Sequence, residues 1–311
     1  MTTATDHFGS AAPAAAQKRP GGGFDWGKLV RHTLLLFFLI VVLIPVYVLL
    51  VTSFKAVGDA DPSRAWLLPQ EWTFENWKVA LLGSKSGAYG KIFPVLPAVL
   101  RTLAMVVPAA VISSFLGSMN GFVLARWRFP YSNIVFTMIL FGMFIPYQAV
   151  MVPLFKLVLD MQSNWGLQSG IMTLIMLHVV YGIPITTLIF RNYYQSVPAD
   201  LMEAARVDGA GMLRTYVSVV LPISIPSFVV VLIWQFTSAW NDFLFATFFG
   251  GNAETQAPVT VTLNAIAKGS MMTNYGVSMA AAVLASLPTL VVYILLGKYF
   301  VGGLMSGSVK G

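Results

Sequence analysis

The chain has 311 residues, of which 57% are hydrophobic and only 10% are charged, and its mean hydropathy is +0.75. Soluble globular domains carry charge on about a quarter of their positions, so these values exclude a water-soluble globule and indicate an integral membrane protein. The absence of cysteine excludes disulfides, thiol catalysis and Cys-ligated metals. The net charge of +7 is typical of loops that face an anionic membrane leaflet.

The first segment, residues 1–32, is rich in Gly, Ala and Thr and contains Lys18, Arg19, Lys28 and Arg31. This composition predicts a flexible cytoplasmic tail. The apolar stretch that follows is too long and too far from the start for a signal peptide, so we expect one membrane domain over residues 33–311.

Six apolar stretches of about 20 residues follow, each long enough to cross a hydrocarbon core of ~30 Å as a helix. Of the 19 basic and 12 acidic residues, only Asp242 lies inside them. Their backbone groups have no water partners, so the stretches are predicted to be helices and the fold class all-α. The predicted spans are Thr33–Thr52, Thr102–Val123, Ile134–Leu154, Ile171–Phe190, Ser227–Phe249 and Val277–Leu296.

The short loops indicate the orientation of these spans, because cytoplasmic loops are enriched in Lys and Arg. Arg126 and Arg128 lie in the ten residues between the second and third spans, whereas residues 250–276 contain only Lys268. We therefore expect both termini on the cytoplasmic side.

The spans contain little that could perform chemistry. The sequence has no phosphate-binding glycine loop, no His-Glu-x-x-His helix and no nucleophile elbow, and its three histidines are too scattered to form a metal site. We therefore assign no catalytic and no metal-binding residues. His178 lies in the fourth span, where an ionisable group suggests a function, but a neutral imidazole that packs between helices is the favoured interpretation.

The most informative loop is residues 191–226. Pro198 suits the first turn of a helix, and Asp200 and Glu203 would lie near the positive end of its dipole. Gly209 can end the helix in the left-handed conformation, and a second helical stretch, Met212–Val220, is expected to stop at Pro222. The first helix spans only ~16 Å and cannot cross a membrane. It is expected to lie on the inner surface, where Ala204 and Ala205 leave a smooth face for another protein; an ordinary amphipathic interfacial helix is the alternative.

Four segments of the sequence resemble those of carbohydrate (maltose-type) ATP-binding-cassette importer permeases. Glu203-Ala204-Ala205, Gly209 and Val219-x-Leu221-Pro222 are similar to the EAA motif, with Val219 where Ile is usual. Ala125-Arg126-Trp127-Arg128-Phe129 and Trp240-Asn241-Asp242-Phe243 resemble two further segments of this branch. The ending, Lys298–Gly302 and Gly307–Gly311, is similar to the C-terminus of the smaller maltose-importer permease.

The resemblance implies a permease without chemistry of its own in a prokaryotic inner membrane. It implies a second homologous permease, two ATPase subunits that bind ATP and magnesium, and an extracytoplasmic sugar-binding protein, with no cofactor on this chain and no nucleic-acid partner. Residues 250–276 match a loop that reaches into the binding protein. The implied ATPase-coupling residues are Glu203, Ala204, Ala205, Asp208, Gly209, Leu221 and Pro222. The implied ATPase-contacting tail residues are Gly307, Ser308, Val309, Lys310 and Gly311.

The end of the fifth span suggests part of a sugar path. Asn241 and Asp242 could bond sugar hydroxyls, and Trp240 could cover a sugar ring. The alternative places Trp240 in the interfacial aromatic belt and uses Asp242 as a cap for a neighbouring helix or loop. As rival functions, an ion-coupled secondary transporter would rely on Asp242, which has no intramembrane partner, and a membrane-embedded enzyme lacks a nucleophile and base pair.

Overall fold

The computed structural model describes residues 25–86, 89–127, 129–166, 170–252, 256–270 and 275–306, and only the backbone of residues 270 and 300–306. Within these ranges every regular element is helical. The α-helices are α1 (Trp26–Ser53), α2 (Glu75–Leu82), α3 (Val95–Arg126), α4 (Ser132–Phe144), α5 (Met151–Trp165), α6 (Ile171–Ser196), α7 (Ala199–Val207), α8 (Met212–Thr215), α9 (Leu221–Ile223), α10 (Ile225–Trp240), α11 (Leu244–Phe249), α12 (Val259–Ser270) and α13 (Tyr275–Ser306).

Residues 1–46 and 47–311 form two compact units. In the first unit the structure describes α1 up to Val46, an apolar helix that contains Pro45. The second unit contains the remaining helices and is the subject of the following paragraphs.

Four described helices, α1, α3, α6 and α13, are long and apolar enough to cross a membrane. They contain four of the six predicted spans. The segments Met212–Ile223 and Ile225–Trp240 pass the same test together as a pair bent by 78°, which gives a fifth candidate that includes most of the predicted fifth span.

The prediction of one continuous helix over Ile134–Leu154 is wrong. Helix α4 ends at Phe144, and α5 begins only at Met151. Pro146 explains the break, because proline lacks an N–H and pushes the residue before it out of the helical region. Ile145 accordingly has an extended backbone, with φ −75° and ψ 116°.

The predicted fifth span is also interrupted. Helix α10 ends at Trp240 and α11 begins at Leu244, so the continuous helix expected over Ser227–Phe249 is wrong as well. The side chain of Asn241 folds back to donate to the Thr237 carbonyl at 2.9 Å. Asp242 then accepts from the first free N–H groups of α11 and starts a new helix.

The centre of the second unit is the packing of α3 against α6, which run parallel. A Cβ at Gly117 would lie 2.1 Å from the Thr186 hydroxyl oxygen, and a Cβ at Gly121 would lie 2.8 Å from the Arg191 nitrogen. Glycines four residues apart on one helix face allow such close backbone contact in membranes. This packing brings the C-terminal ends of α3 and α6 together, next to α7.

The opposite end of α3 is contacted by α2 and by the segment 256–270. Arg101 donates to the Ala257 carbonyl at 3.1 Å, and the Thr102 hydroxyl accepts from the Val259 N–H at 2.8 Å. The fully buried Lys55 donates from its ammonium to the Arg64 carbonyl at 2.5 Å. Burial lowers the pKa of this lysine, and the nearby Asp59 carboxylate partly offsets the shift.

Candidate functional site

Helix α7 follows α6 directly and has well-defined ends. Pro198 is its N-cap, Asp200 lies in its first turn, and Arg206 lies in its last turn, as the helix dipole favours. At the C-terminus the Gly209 N–H donates to the Arg206 carbonyl at 3.0 Å and the Ala210 N–H donates to the Ala205 carbonyl at 2.9 Å. Gly209 has φ +72°, so the predicted left-handed stop is confirmed.

The two faces of α7 have different environments. Met202 and Ala205 are buried, and Met202 packs in a cluster with Phe122, Phe190 and other side chains of α3 and α6. The expectation that both alanines form an exposed face is therefore wrong for Ala205, which lies three residues after Met202 on the inward side. The exposed residues of the helix and its cap include Leu201, Glu203, Ala204, Val207 and Asp208.

Residues at the end of α3 hold α7 in place. The Arg126 guanidinium donates to the backbone carbonyls of Tyr194 and Val197, at the junction of α6 and α7. The Arg206 guanidinium of α7 lies over the Trp127 ring, 5.6 Å from its centroid. Arg126 and Trp127 belong to the Ala-Arg-Trp-Arg-Phe segment noted in the sequence, which was the available signal for this role; its Arg128 is outside the described residues.

A buried group of hydroxyls connects the same elements in the interior. The Ser118 hydroxyl oxygen lies 2.6 Å from that of Tyr194 and 2.9 Å from that of Tyr216. The Ser224 hydroxyl lies 3.0 Å from the Tyr194 oxygen. Because buried hydroxyls without partners are costly, this network fixes the relative positions of α3, α6 and the turn after α8.

The second helical stretch runs further than predicted. A π-helical turn, Tyr216–Val220, follows α8, and the Leu221 N–H donates to the Tyr216 carbonyl. Pro222 then lies in the first turn of α9, where its missing N–H is tolerated. The expected stop at Pro222 is therefore wrong: the helical path ends at Ser224 and bends by 78° into α10. Leu221 and Pro222 thus lie just before this bend.

The three residues predicted to line a sugar path, Trp240, Asn241 and Asp242, have different environments in the structure. Trp240 is buried, stacks on Phe236 with ring centroids 5.5 Å apart, and donates from its indole N–H to the Ala285 carbonyl at 3.1 Å. Asn241 is exposed. Asp242 accepts from the Phe245 N–H at 3.3 Å and from the Ala246 N–H at 3.0 Å, which is the helix-capping arrangement considered as the alternative.

Asp242 also faces a cavity of about 590 Å³. The walls come from the α4–α5 linker, from α6 and from the α10–α11 break, and His178 contributes its ring. The His178 Nε2 atom lies 3.7 Å from an Asp242 carboxylate oxygen, and each side chain is about 10% exposed. The expectation that Asp242 has no intramembrane partner is therefore wrong, since His178 faces it. The sequence interpretation favoured packing for His178 and did not pair it with Asp242, because no pattern in the sequence relates the fourth span to the fifth.

The tail residues Gly307–Gly311 lie outside the described residues, and so does most of the N-terminal tail. The predicted contact between the C-terminal tail and an ATPase therefore stays a prediction.

Long apolar helices, an exposed short helix held against α3 and α6, and a partly buried cavity are the features expected of a membrane transport subunit. The sequence matches the family described as "Binding-protein-dependent transport system inner membrane component" over residues 117–305. The chain belongs to this family of ATP-binding-cassette (ABC) importer permeases, which are inner-membrane subunits without ATPase activity of their own. The ion-coupled alternative has no support among these comparisons.

Several relatives match most of the chain. The xylose/arabinose import permease protein XacI of Haloferax volcanii is 34% identical over an alignment that covers 93% of this chain and 98% of that protein. The melibiose/raffinose/stachyose import permease protein MelC of Bacillus subtilis is 33% identical over 273 residues, which cover 86% of this chain and 91% of that protein.

A solved structure confirms the fold. It is a chain of a bacterial ABC transporter involved in the import of the acidic polysaccharide alginate, with a TM-score of 0.68 and 23% identity. The match covers 88% of this chain and 96% of that chain. The predicted all-α permease fold is therefore confirmed at the level of architecture.

Proposed function

We propose that this chain is a transmembrane permease subunit of an ATP-driven sugar importer. It forms half of the translocation path with a second homologous permease, while two ATPase subunits bind ATP and magnesium and an extracytoplasmic protein delivers the sugar. The sugar class is supported by the relatives, since XacI is named for xylose and arabinose and MelC for melibiose, raffinose and stachyose.

One observation carries the proposal: α7 is exposed on one side and fixed to the spans on the other. Leu201, Ala204 and Val207 occur every three residues, and Val207 is 88% exposed. Such a small apolar stripe on a short helix fits a groove of a partner protein. The buried Met202 and the Arg126 contacts would pass movement of the helix on to α3 and α6.

In this proposal the ATPase meets α7 and its cap, and the bend at Leu221 and Pro222 carries the movement into α10. The coupling set is Glu203, Ala204, Ala205, Asp208, Gly209, Leu221 and Pro222. Ala205 takes part as an inward packing residue, and Ala204 as an outward one. We keep the C-terminal tail, residues 307–311, as a second ATPase contact.

The membrane topology belongs to the same proposal. We propose six spans with both termini in the cytoplasm, in which α4 and α5 together form the third span in spite of their break at Ile145–Val150. Residues 1–32 would form the cytoplasmic tail and residues 33–311 the permease domain. Residues 250–276 would face the binding protein, and α12 in this segment is anchored through the buried Val259 and Ile266.

The test is transport by the complete importer in proteoliposomes. The chain is co-purified with its partner permease, ATPase and binding protein, and uptake of ¹⁴C-labelled xylose, glucose, maltose and raffinose is measured. We expect uptake of at least one sugar only when ATP is inside and the binding protein outside, with no effect of a proton or sodium gradient. Uptake driven by an ion gradient without ATP, or no uptake of any sugar, would contradict the proposal.

A further inference from the structure

The cavity beside Asp242 lies where two spans lose their helical form. Its walls include Ile145 and Tyr147 from the α4–α5 linker, and Asn241 and Phe243 from the α10–α11 break. Irregular backbone inside a membrane domain is tolerated where it is buried in protein or lines a polar cavity. The volume of about 590 Å³ lies within the ~300–1,000 Å³ typical of small-molecule sites.

The polar groups of this cavity are incompletely paired. His178 is 9% exposed, and its Nε2 atom has no hydrogen-bond partner. The 3.7 Å separation from the Asp242 oxygen is too long for a hydrogen bond. A buried polar atom without a partner costs free energy, so the pair favours a ligand hydroxyl that donates to Asp242 and bonds His178.

Aromatic rings line the cavity next to this pair. The Phe245 ring lies 5.1 Å from the Tyr181 ring, 5.3 Å from the Tyr147 ring and 5.8 Å from the His178 ring, measured between centroids. These rings offer flat apolar surface beside the carboxylate and imidazole. A ligand that presents C–H faces and hydroxyl groups together matches such a wall.

The charged residues that line the cavity indicate which class of ligand it can bind. Among the lining residues that the structure describes, Asp242 is the only carboxylate and none is Lys or Arg. An anionic ligand would meet a like charge in a partly buried site, where repulsion is weakly screened. The cavity therefore disfavours uronic acids and other acidic sugars.

We propose that this cavity is a subsite for a neutral sugar ring within this subunit, with His178 and Asp242 bonding its hydroxyls and Tyr181 covering its face. The inference rests on the proposed sugar transport. It adds the residues that would bind the sugar and a preference for neutral over acidic sugars. It also changes the path expected from the sequence, because Trp240 donates to Ala285 and is replaced by His178 and Tyr181.

The test measures sugar binding directly on the assembled transporter in lipid nanodiscs, without binding protein. Equilibrium binding of ¹⁴C-labelled glucose, xylose, maltose and glucuronate is compared for wild type, His178→Leu, Tyr181→Leu and Asp242→Asn. Asparagine can still cap α11, so Asp242→Asn changes the charge and keeps the fold. Ser114→Ala is the matched control, since the hydroxyl of the buried Ser114 donates to the Ala110 carbonyl of its own helix and Ser114 does not line the cavity.

We expect His178→Leu, which loses a hydrogen bond, and Tyr181→Leu, which loses the ring over the sugar face, each to weaken binding of the neutral sugar by about three- to tenfold. Asp242→Asn should raise the affinity for glucuronate relative to the neutral sugar, and Ser114→Ala should bind like wild type. If His178→Leu does not assemble, Tyr181→Leu and Asp242→Asn still test the subsite.

Two results would contradict the proposed subsite without contradicting the proposed function as a sugar importer. One is a wild-type complex that transports a sugar in proteoliposomes but binds none of the tested sugars. The other is variants that all bind like Ser114→Ala, with an unchanged preference between glucuronate and neutral sugar. If the wild-type complex transports no sugar at all, the proposed function and the subsite fail together.

Discussion

Gly209 shows how a single residue sets the end of α7. Its φ of +72° lies in the left-handed region, yet a Cβ built there would meet nothing within 4 Å. The requirement for glycine is therefore a requirement of the backbone and not of space. β-branched residues are strained in this conformation by about 1–2 kcal/mol, whereas Asn tolerates it.

This distinction gives a matched pair of variants. Gly209→Val should disturb the cap that the Gly209 and Ala210 N–H groups form, and should lower sugar uptake per ATP hydrolysed by at least about threefold. Gly209→Asn should stay close to wild type. Uptake and ATPase activity are measured in the same proteoliposomes. Equal coupling in the two variants would mean that the left-handed cap does not matter for transport.

Residue-level predictions from the sequence succeeded where one local rule applied. Asp200 in the first turn of α7 and the glycine stop follow from helix geometry, whereas Pro198 lies at the N-cap, one position before the predicted first turn, and Glu203 lies beyond that turn. The inward position of Ala205 and the pairing of His178 with Asp242 depend on which helices pack together. That information is tertiary, so the pattern of one sequence could not supply it.

At the scale of elements, the ends of α3, α6 and α7 form one clamped unit. Arg126 donates hydrogen bonds to two carbonyls at the α6–α7 junction. The buried Met202 side chain packs α7 against α3 and α6. Leaving a buried carbonyl without its donor costs about 1–3 kcal/mol. Since 1.4 kcal/mol corresponds to a factor of ten, local opening of α7 should depend strongly on Arg126.

We predict that Arg126→Ala increases hydrogen–deuterium exchange of the α7 amides by about tenfold or more and lowers uptake per ATP. Arg126→Lys should be intermediate, because lysine cannot donate through a planar fork. Arg214→Ala, at an exposed position of α8, is the control. The account of the clamp fails if α7 exchanges at the same rate in Arg126→Ala and Arg214→Ala.

The observed helix boundaries show what the apolar stretches of the sequence could predict and what they could not. Hydropathy located the long helices, because their length and composition are properties of the sequence alone. Mean hydropathy does not detect the helix break at Pro146. Proline alone does not predict such a break either, because Pro108 and Pro184 lie inside α3 and α6. The breaks at Pro146 and Asn241 line the cavity, so the local irregularities occur where a function is proposed.

At the scale of the whole molecule, the exposed helix and the cavity are connected by the same two helices. His178 precedes the end of α6 by 18 residues, a distance of ~27 Å along the helix. Asp242 lies two residues after the end of α10, and α10 begins at the bend after α9. In the proposed coupling, a displacement of α7 by a partner would reach the cavity walls through α6 and α10.

Docking of an ATPase subunit on the exposed face of α7 can be tested by photo-cross-linking. The chain has no cysteine, so Val207→Cys or Glu75→Cys creates a single attachment point for benzophenone maleimide. Val207 is the probe, and Glu75, exposed in the α2 segment at the opposite end of α3, is the control. After illumination of the assembled importer, we predict an adduct with the ATPase subunit from position 207 and none from position 75. No ATPase adduct from position 207, or equal adducts from both positions, would contradict the account.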